Sequence, residues 1–227
     1  ANTGPDRLSD AFMDRLERYS EGANSDDLRK MWGRVLAREI RKPGTFGAKI
    51  LRAMDEIEPE TASLFQRFAA HRLDHAIPRC LLSEGLLFHQ QQALIQEDLL
   101  VDPGLSGHIR KSTKIKFGRT DFDIFPLELP KILSISPTAV SGLPSDGAAS
   151  VALIKSEGAP CIPIWMLTRL GVAICSVLPE VDNSRRFLAK VIDQVGDGSA
   201  VESLVQPDGQ IGLPSDWVNQ HSEGPVE

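Results

Sequence analysis

The sequence predicts an α-rich α+β protein, in which an N-terminal helical bundle is followed by a smaller α/β part built on short strands. Two observations carry this. Apolar residues recur at helical spacing through the first third of the chain, and from Lys114 onward their period drops towards two. A third observation is compositional. With 41% hydrophobic and 25% charged residues, the chain is far from the low hydrophobicity and high net charge of disordered segments. Its 227 residues suffice for one sizeable core or for two small domains.

The helices are taken in order. Leu8, Phe12 and Leu16 share one face of a polar helix from Asp6 to Ser20, which Gly22 to Asn24 breaks. Ser25 is placed to cap the next helix, with Asp26 and Asp27 where the positive helix end favours carboxylates. Leu28, Met31, Trp32, Val35, Leu36 and Ile40 then form a stripe that Pro43-Gly44 ends. Thr45 is a candidate cap for a helix carrying Phe46, Ile50, Leu51 and Met54, and Glu58-Pro59 opens another through Leu64, Phe65 and Phe68. The pattern remains helical from Ile77 to Val101, with a break near Gly85.

Short strands are expected at Ile115/Phe117, Phe122/Ile124, Ile132/Ile135, Val151/Leu153 and Ile162 to Met166. Thr168 and Asn183 are candidate caps for two further helices, the second running through Phe187, Val191 and Val195. The Gly-, Ser- and Pro-rich end, with Trp217 as its main anchor, predicts a mobile or extended tail. The expected division is therefore 1–76, 77–195 and 196–227. The pentapeptide Gly-Leu-Pro-Ser-Asp occurs twice, at Gly142 to Asp146 and Gly212 to Asp216, and both copies fit turns that lead into a cap.

Several function classes find no support. No apolar run approaches the roughly 20 residues of a membrane span, and no basic segment leads into a short hydrophobic stretch at the start. The chain opens at Ala1 without an initiator methionine, the expected mark of a piece or a processed form of a longer protein. Cys80, Cys161 and Cys175 are an odd number at wide spacings, which fits a reduced cytoplasm better than a disulfide framework. No Gly-x-Ser-x-Gly, no phosphate loop and no cysteine with a motif-placed histidine is present, so no catalytic residue is assigned.

Candidate chemistry narrows to three places. Glu39, seven positions after Trp32, falls inside the apolar stripe, so its carboxylate must meet an arginine or the free N–H groups after Pro43-Gly44. The expectation is a structural buried charge. His108 to Arg119 holds Arg110, Lys111, Lys114, Lys116 and Arg119 with no acid, the best nucleic-acid patch in a chain whose formal charge is -6. His71 and His75 stand at i and i+4 with Asp74 between them and Cys80 nearby, a spacing that puts two imidazoles on one helix face. The glutamate of a zinc hydrolase is missing, and Pro78 ends the pattern, so surface histidines without metal or cofactor are expected.

The run from Trp32 to Phe46, which joins Trp, Leu-Ala-Arg-Glu-Ile and Pro-Gly-Thr-Phe at fixed offsets, is followed by Leu51 and by Ala62 to Phe65. It resembles the bacterial family called domain of unknown function 2806. Similar helical pairs occur in alpha-type abortive-infection proteins, so the resemblance implies a bacterial protein in a phage-defence neighbourhood. Leu94 to Val101, then strands, then Ile164 to Gly171 is similar to a winged-helix pattern, with Asp98 where such domains usually have Gly. That similarity implies a winged-helix-like layout for the α/β part. The expected function is an interaction or regulatory module that binds a protein partner or itself; the alternative is nucleic-acid binding through residues 108–119.

Overall fold

The computed structural model describes residues 8–23, 26–105, 107–117, 119–127, 130–145 and 151–221. In chain order the elements begin with α1 (Asp10–Ser20), α2 (Asp26–Arg41), α3 (Ala48–Glu56), α4 (Pro59–Ala69), β1 (Ala76–Pro78) and α5 (Phe88–Gln96). They continue with β2 (His108–Lys111), β3 (Thr113–Phe117), β4 (Thr120–Pro126), β5 (Lys131–Ile135), α6 (Pro137–Ser141), β6 (Ile154–Ser156) and β7 (Ala159–Met166). The last are α7 (Arg169–Cys175), α8 (Ser184–Val195), β8 (Ala200–Val205), β9 (Ile211–Gly212) and α9 (Ser215–His221). The protein is thus a mixed α+β molecule. It divides into two compact units, each assembled from separated segments: 1–70, 87–102 and 167–180 in one, 71–86, 103–166 and 181–227 in the other.

The first unit is helical. Ser9 caps α1 by accepting the Phe12 N–H at 3.2 Å, and Phe12 and Leu16 turn inward. On α2, Trp32, Val35 and Glu39 are buried, while Leu28 and Ile40 at the edges of the predicted stripe are 39% and 61% exposed. The buried face is therefore narrower than the stripe. Ser25 lies outside the described residues. Thr45 does not cap α3: its hydroxyl donates to the Lys42 carbonyl at 2.7 Å and closes α2, while Gly47 stands at the α3 N-cap. Pro59 opens α4 at its first turn, where its missing N–H costs nothing, and Phe65, Phe68 and Ala69 are buried.

The helical unit is not complete at residue 76; it also takes α5 and α7. Leu99 and Leu100 donate to the Leu94 carbonyl at 2.9 and 3.1 Å, and Leu100 bridges Leu167 antiparallel. Asp98 turns the chain with φ 54°, a left-handed conformation that aspartate tolerates better than most residues. The Thr168 hydroxyl donates to the Asp98 carbonyl and accepts the Gly171 N–H at 3.0 Å, which starts α7. A Cβ on Gly171 would stand 2.3 Å from the Leu99 carbonyl oxygen, so only glycine permits this approach.

Among the described residues, the second unit contains two antiparallel sheets. In one, β7 pairs with β1, β2 and β6; the other is ordered β3-β4-β5-β8-β9. Phe125, Leu133, Ile135, Ile162, Ile164 and, from α8, Phe187 are among the residues that form one buried cluster. Three expectations are corrected here. Ile77 to Leu81 is not helical: Ala76–Pro78 pairs with Ile164–Met166, and a 3-10 turn at Arg79–Leu81 follows. Val151 to Leu153 is not a strand, because Gln194 of α8 accepts the N–H groups of Ala152 and Leu153 at 3.0 and 2.9 Å and so replaces a ladder. Residues 196–227 are not a loose tail as far as they are described. Val201 pairs with Ser134 within the β5–β8 ladder, and the Trp217 indole, packed on Phe122, donates to the Gly198 carbonyl at 2.6 Å.

Candidate functional site

The basic segment is divided between the two sheets of the second unit. His108–Lys111 forms β2 and Thr113–Phe117 forms β3. Ser112 stands at the crossing, where its N–H donates to the Pro160 carbonyl and its hydroxyl to buried Asp123 at 2.6 Å. The five charges meet different surroundings. Arg110 is largely buried, donates to the Pro126 carbonyl and lies 3.9 Å from Asp74; burial pulls its guanidinium below the ordinary value. Lys111 pairs with Glu157, whose carboxyl that hydrogen bond holds low. Lys114 and Lys116 lie directly across the β3–β4 ladder from Asp123 and Asp121, and Arg119 is exposed at the hairpin.

His71 and His75 do not share a helix face. α4 ends at Ala69, and Leu73–Ala76 is a tight turn in which Asp74 has φ 58°. His75 lies 3.4 Å from Asp74, whereas the His71 ring meets Arg186 at 3.3 Å; burial, then Arg186, lowers the His71 pKa. Among the described residues, no group of three or more His, Cys, Asp or Glu is placed to hold a metal ion. The three cysteines are buried and none is in a disulfide, and burial pushes the Cys80 thiol up to about 11.

Beside His71, the start of α8 is a polar cluster. Asn183 stands at the N-cap as expected, but its side chain makes no capping hydrogen bond. Its amide donates to the Arg72 carbonyl at 2.9 Å and its oxygen accepts from Arg186 at 3.2 Å, while Asp182 accepts the Ser184 N–H at 3.0 Å. The hydrogen bond from Lys131, then those from Ser184, hold the Asp182 carboxyl down to about 2. A depressed carboxyl contributes stability that is present above its unfolded pKa of about 4 and is lost as pH falls through about 2. Acid titration of stability should therefore be shallower between about pH 4 and pH 2 for Asp182→Asn than for the wild type. Equal slopes in chemical denaturation across that window would assign the acid sensitivity elsewhere.

In the helical unit, Glu39 is 5% exposed, and its carboxylate accepts the Gly44 N–H at 2.5 Å and the Phe46 N–H at 2.9 Å. It joins the end of α2 to the start of α3. The same unit carries a groove of about 430 Å³. Leu28, Met31 and Arg34 of α2 line it, Ile57 of the α3–α4 link contributes, and Ile174 and Leu178 come from α7 and the residues after it. This groove was missed in the sequence, although the partial exposure of Leu28 follows from a stripe too wide for one buried face.

The motif from Trp32 to Phe65 is now placed on α2, the Glu39-bound joint, α3 and α4. Residues 7–125, more than half of the chain, match the family described as protein of unknown function (DUF2806). The chain belongs to that family. The matched span ends inside β4, so it takes in α1 to α5 but not α7, which completes the helical unit. No curated protein and no solved structure matches the chain. Among the described residues, no helix is long and apolar enough to cross a membrane.

Proposed function

We propose that the chain is an interaction or regulatory module of a cytoplasmic, bacterial, phage-defence-type system, and that it works through the groove of its helical unit. The observation that carries the reading is the apolar, methionine-containing lining, with Leu28 39% exposed, Met31 half-buried and Ile57 and Leu178 beside them. Accessible apolar clefts rimmed by polar groups are what helix-recognising surfaces use. The bridge of Leu100 with Leu167, which joins the residues after α5 to those before α7, supports the winged-helix-like reading.

A second reading, nucleic-acid binding, is favoured by Lys114, Lys116 and Arg119, which are exposed on and beside the edge strand β3. Asp121 and Asp123 across the ladder and the pairing of Lys111 with Glu157 weigh against it. A photo-crosslinking residue placed at Met31 or at Lys116 in host cells separates the two. A discrete protein adduct at Met31, lost when Leu28→Asp charges the groove, is the expected result. Nucleic-acid adducts at Lys116 with none of protein at Met31 would overturn it.

A further inference from the structure

Two neighbouring clefts of the helical unit share a basic lining. One, of about 270 Å³, is lined by Lys49 and Ile50 of α3, by Asp98, and by Arg169 and Leu170 of α7. The other, of about 260 Å³, lies against the α2–α3 joint, with Lys42 on that side and Arg169 again on the other. Arg169 is thus common to both. The carboxylate of the joint serves neither, because both Glu39 oxygens are taken by the Gly44 and Phe46 N–H groups. Neither cleft shares a lining residue with the groove of Leu28 and Met31.

The charges of this lining do not balance. Asp98 is its one carboxylate, and it pairs with Lys49 at 3.2 Å. Among the described residues, Lys42 and Arg169 have no ion-pair partner, so the clefts carry two exposed, uncompensated positive charges in a chain whose formal charge is -6. Arg169 is also poorly placed for stability. It stands in the first turn of α7, where the positive end of a helix favours a carboxylate. A side chain that breaks a local rule with no structural return points to a function. We propose that the clefts bind an organic phosphate monoester. Its phosphate, with about −1.5 to −2 charge at neutral pH, matches the two free cations, and the Arg169 guanidinium can meet two of its oxygens at once. A carboxylate ligand would match only one of them. The apolar or aromatic body of the ester lies against Ile50 and Leu170 in the larger cleft.

Amide NMR titration of the full chain in low-salt, phosphate-free buffer tests it, with phenyl phosphate, inorganic phosphate and phenol as probes. Phenyl phosphate should bind saturably and move the amides of Lys42, Lys49, Ile50, Asp98, Arg169 and Leu170. Inorganic phosphate should bind about tenfold or more weakly, and phenol should leave these amides in place. Arg169→Glu and Lys42→Glu should each weaken phenyl phosphate about tenfold or more. Arg169→Glu should melt no lower than the wild type, since a carboxylate suits the first turn of α7; loss of binding through misfolding would lower the melting temperature. Arg67→Glu, the same change at an exposed position that lines neither cleft, should bind like the wild type. Adenosine monophosphate and phosphotyrosine, compared at the same amides, tell a nucleotide from a phosphorylated side chain as the source, and saturable binding of either supports the inference. No saturable shift at millimolar phenyl phosphate overturns it, as does an equal loss in Arg67→Glu and Arg169→Glu. Equal affinity for phenyl and inorganic phosphate overturns the organic body.

Discussion

Truncation of Trp32 to alanine is expected to cost the helical unit about 3 to 5 kcal/mol. The ring is 5% exposed on the buried face of α2, one turn from Val35, and the Tyr19 ring lies nearly parallel to it with centroids 6.4 Å apart. Removing it takes away a large buried apolar surface and one partner of that aromatic pair. The hole it leaves adjoins the cleft lined by Leu16, Gly33 and Leu36, which water can enter, and α1 would lose a surface to lie against. Far-ultraviolet circular dichroism in urea measures the loss. Trp165 and Trp217 remain in the other unit to report its unfolding separately by fluorescence. Ile40→Ala on the same helix should stay within about 0.5 kcal/mol of the wild type, because Ile40 is 61% exposed. A Trp32→Ala protein with unchanged melting that had lost a partner would instead make the ring part of a binding surface.

Legibility in the sequence followed the range of the interactions. α2, α3, α4, α7 and α8 announce themselves because their apolar positions repeat within a few residues and their ends carry Pro, Gly or a hydroxyl. Thr168 was legible as a cap because a side chain reaching its own helix start is a local event. The elements that were misread depend on partners far along the chain. β1 has three residues including a proline and exists because β7 supplies its ladder, and β8 is a strand because β5 lies beside it, although glycines and serines precede it. The division into units was hidden for the same reason. The pairing of Leu100 with Leu167 and the hydrogen bond from Thr168 to Asp98, both between distant residues, show that the helical unit resumes after the strands.

The candidate site divides along the same line. The phase of Glu39 was readable because 100° per residue sets it among Trp32 and Val35 whatever the rest of the fold does. The dispersal of the basic segment was not, since Glu157, Asp74 and Asp121 reach it from other strands and turns. The groove was illegible because its lining joins α2, the α3–α4 link and α7, and α7 lies outside the N-terminal segment that the pattern grouped as a bundle.

Glu39→Ala is expected to destabilise the helical unit by about 2 to 4 kcal/mol, with Glu39→Gln falling between it and the wild type. Burial of a carboxylate is costly unless its oxygens are matched to donors, and here each oxygen has one: Oε1 takes the Gly44 N–H and Oε2 the Phe46 N–H. The two bonds differ in what their loss means. Gly44 is exposed, so water can replace the carboxylate at its N–H, whereas Phe46 is buried, and its N–H would be left without a partner. Alanine forfeits both bonds and empties the space beneath the joint. Glutamine keeps one acceptor oxygen but turns an NH2 group towards the other N–H, so it loses one bond and gains a repulsion. Chemical denaturation should therefore rank wild type above Gln above Ala. Amide exchange should localise the change, with protection of Phe46 falling in both variants and that of Leu133 in the sheet unit unchanged. An alanine variant that melts with the wild type would mean that the loop after Pro43 is held by other contacts.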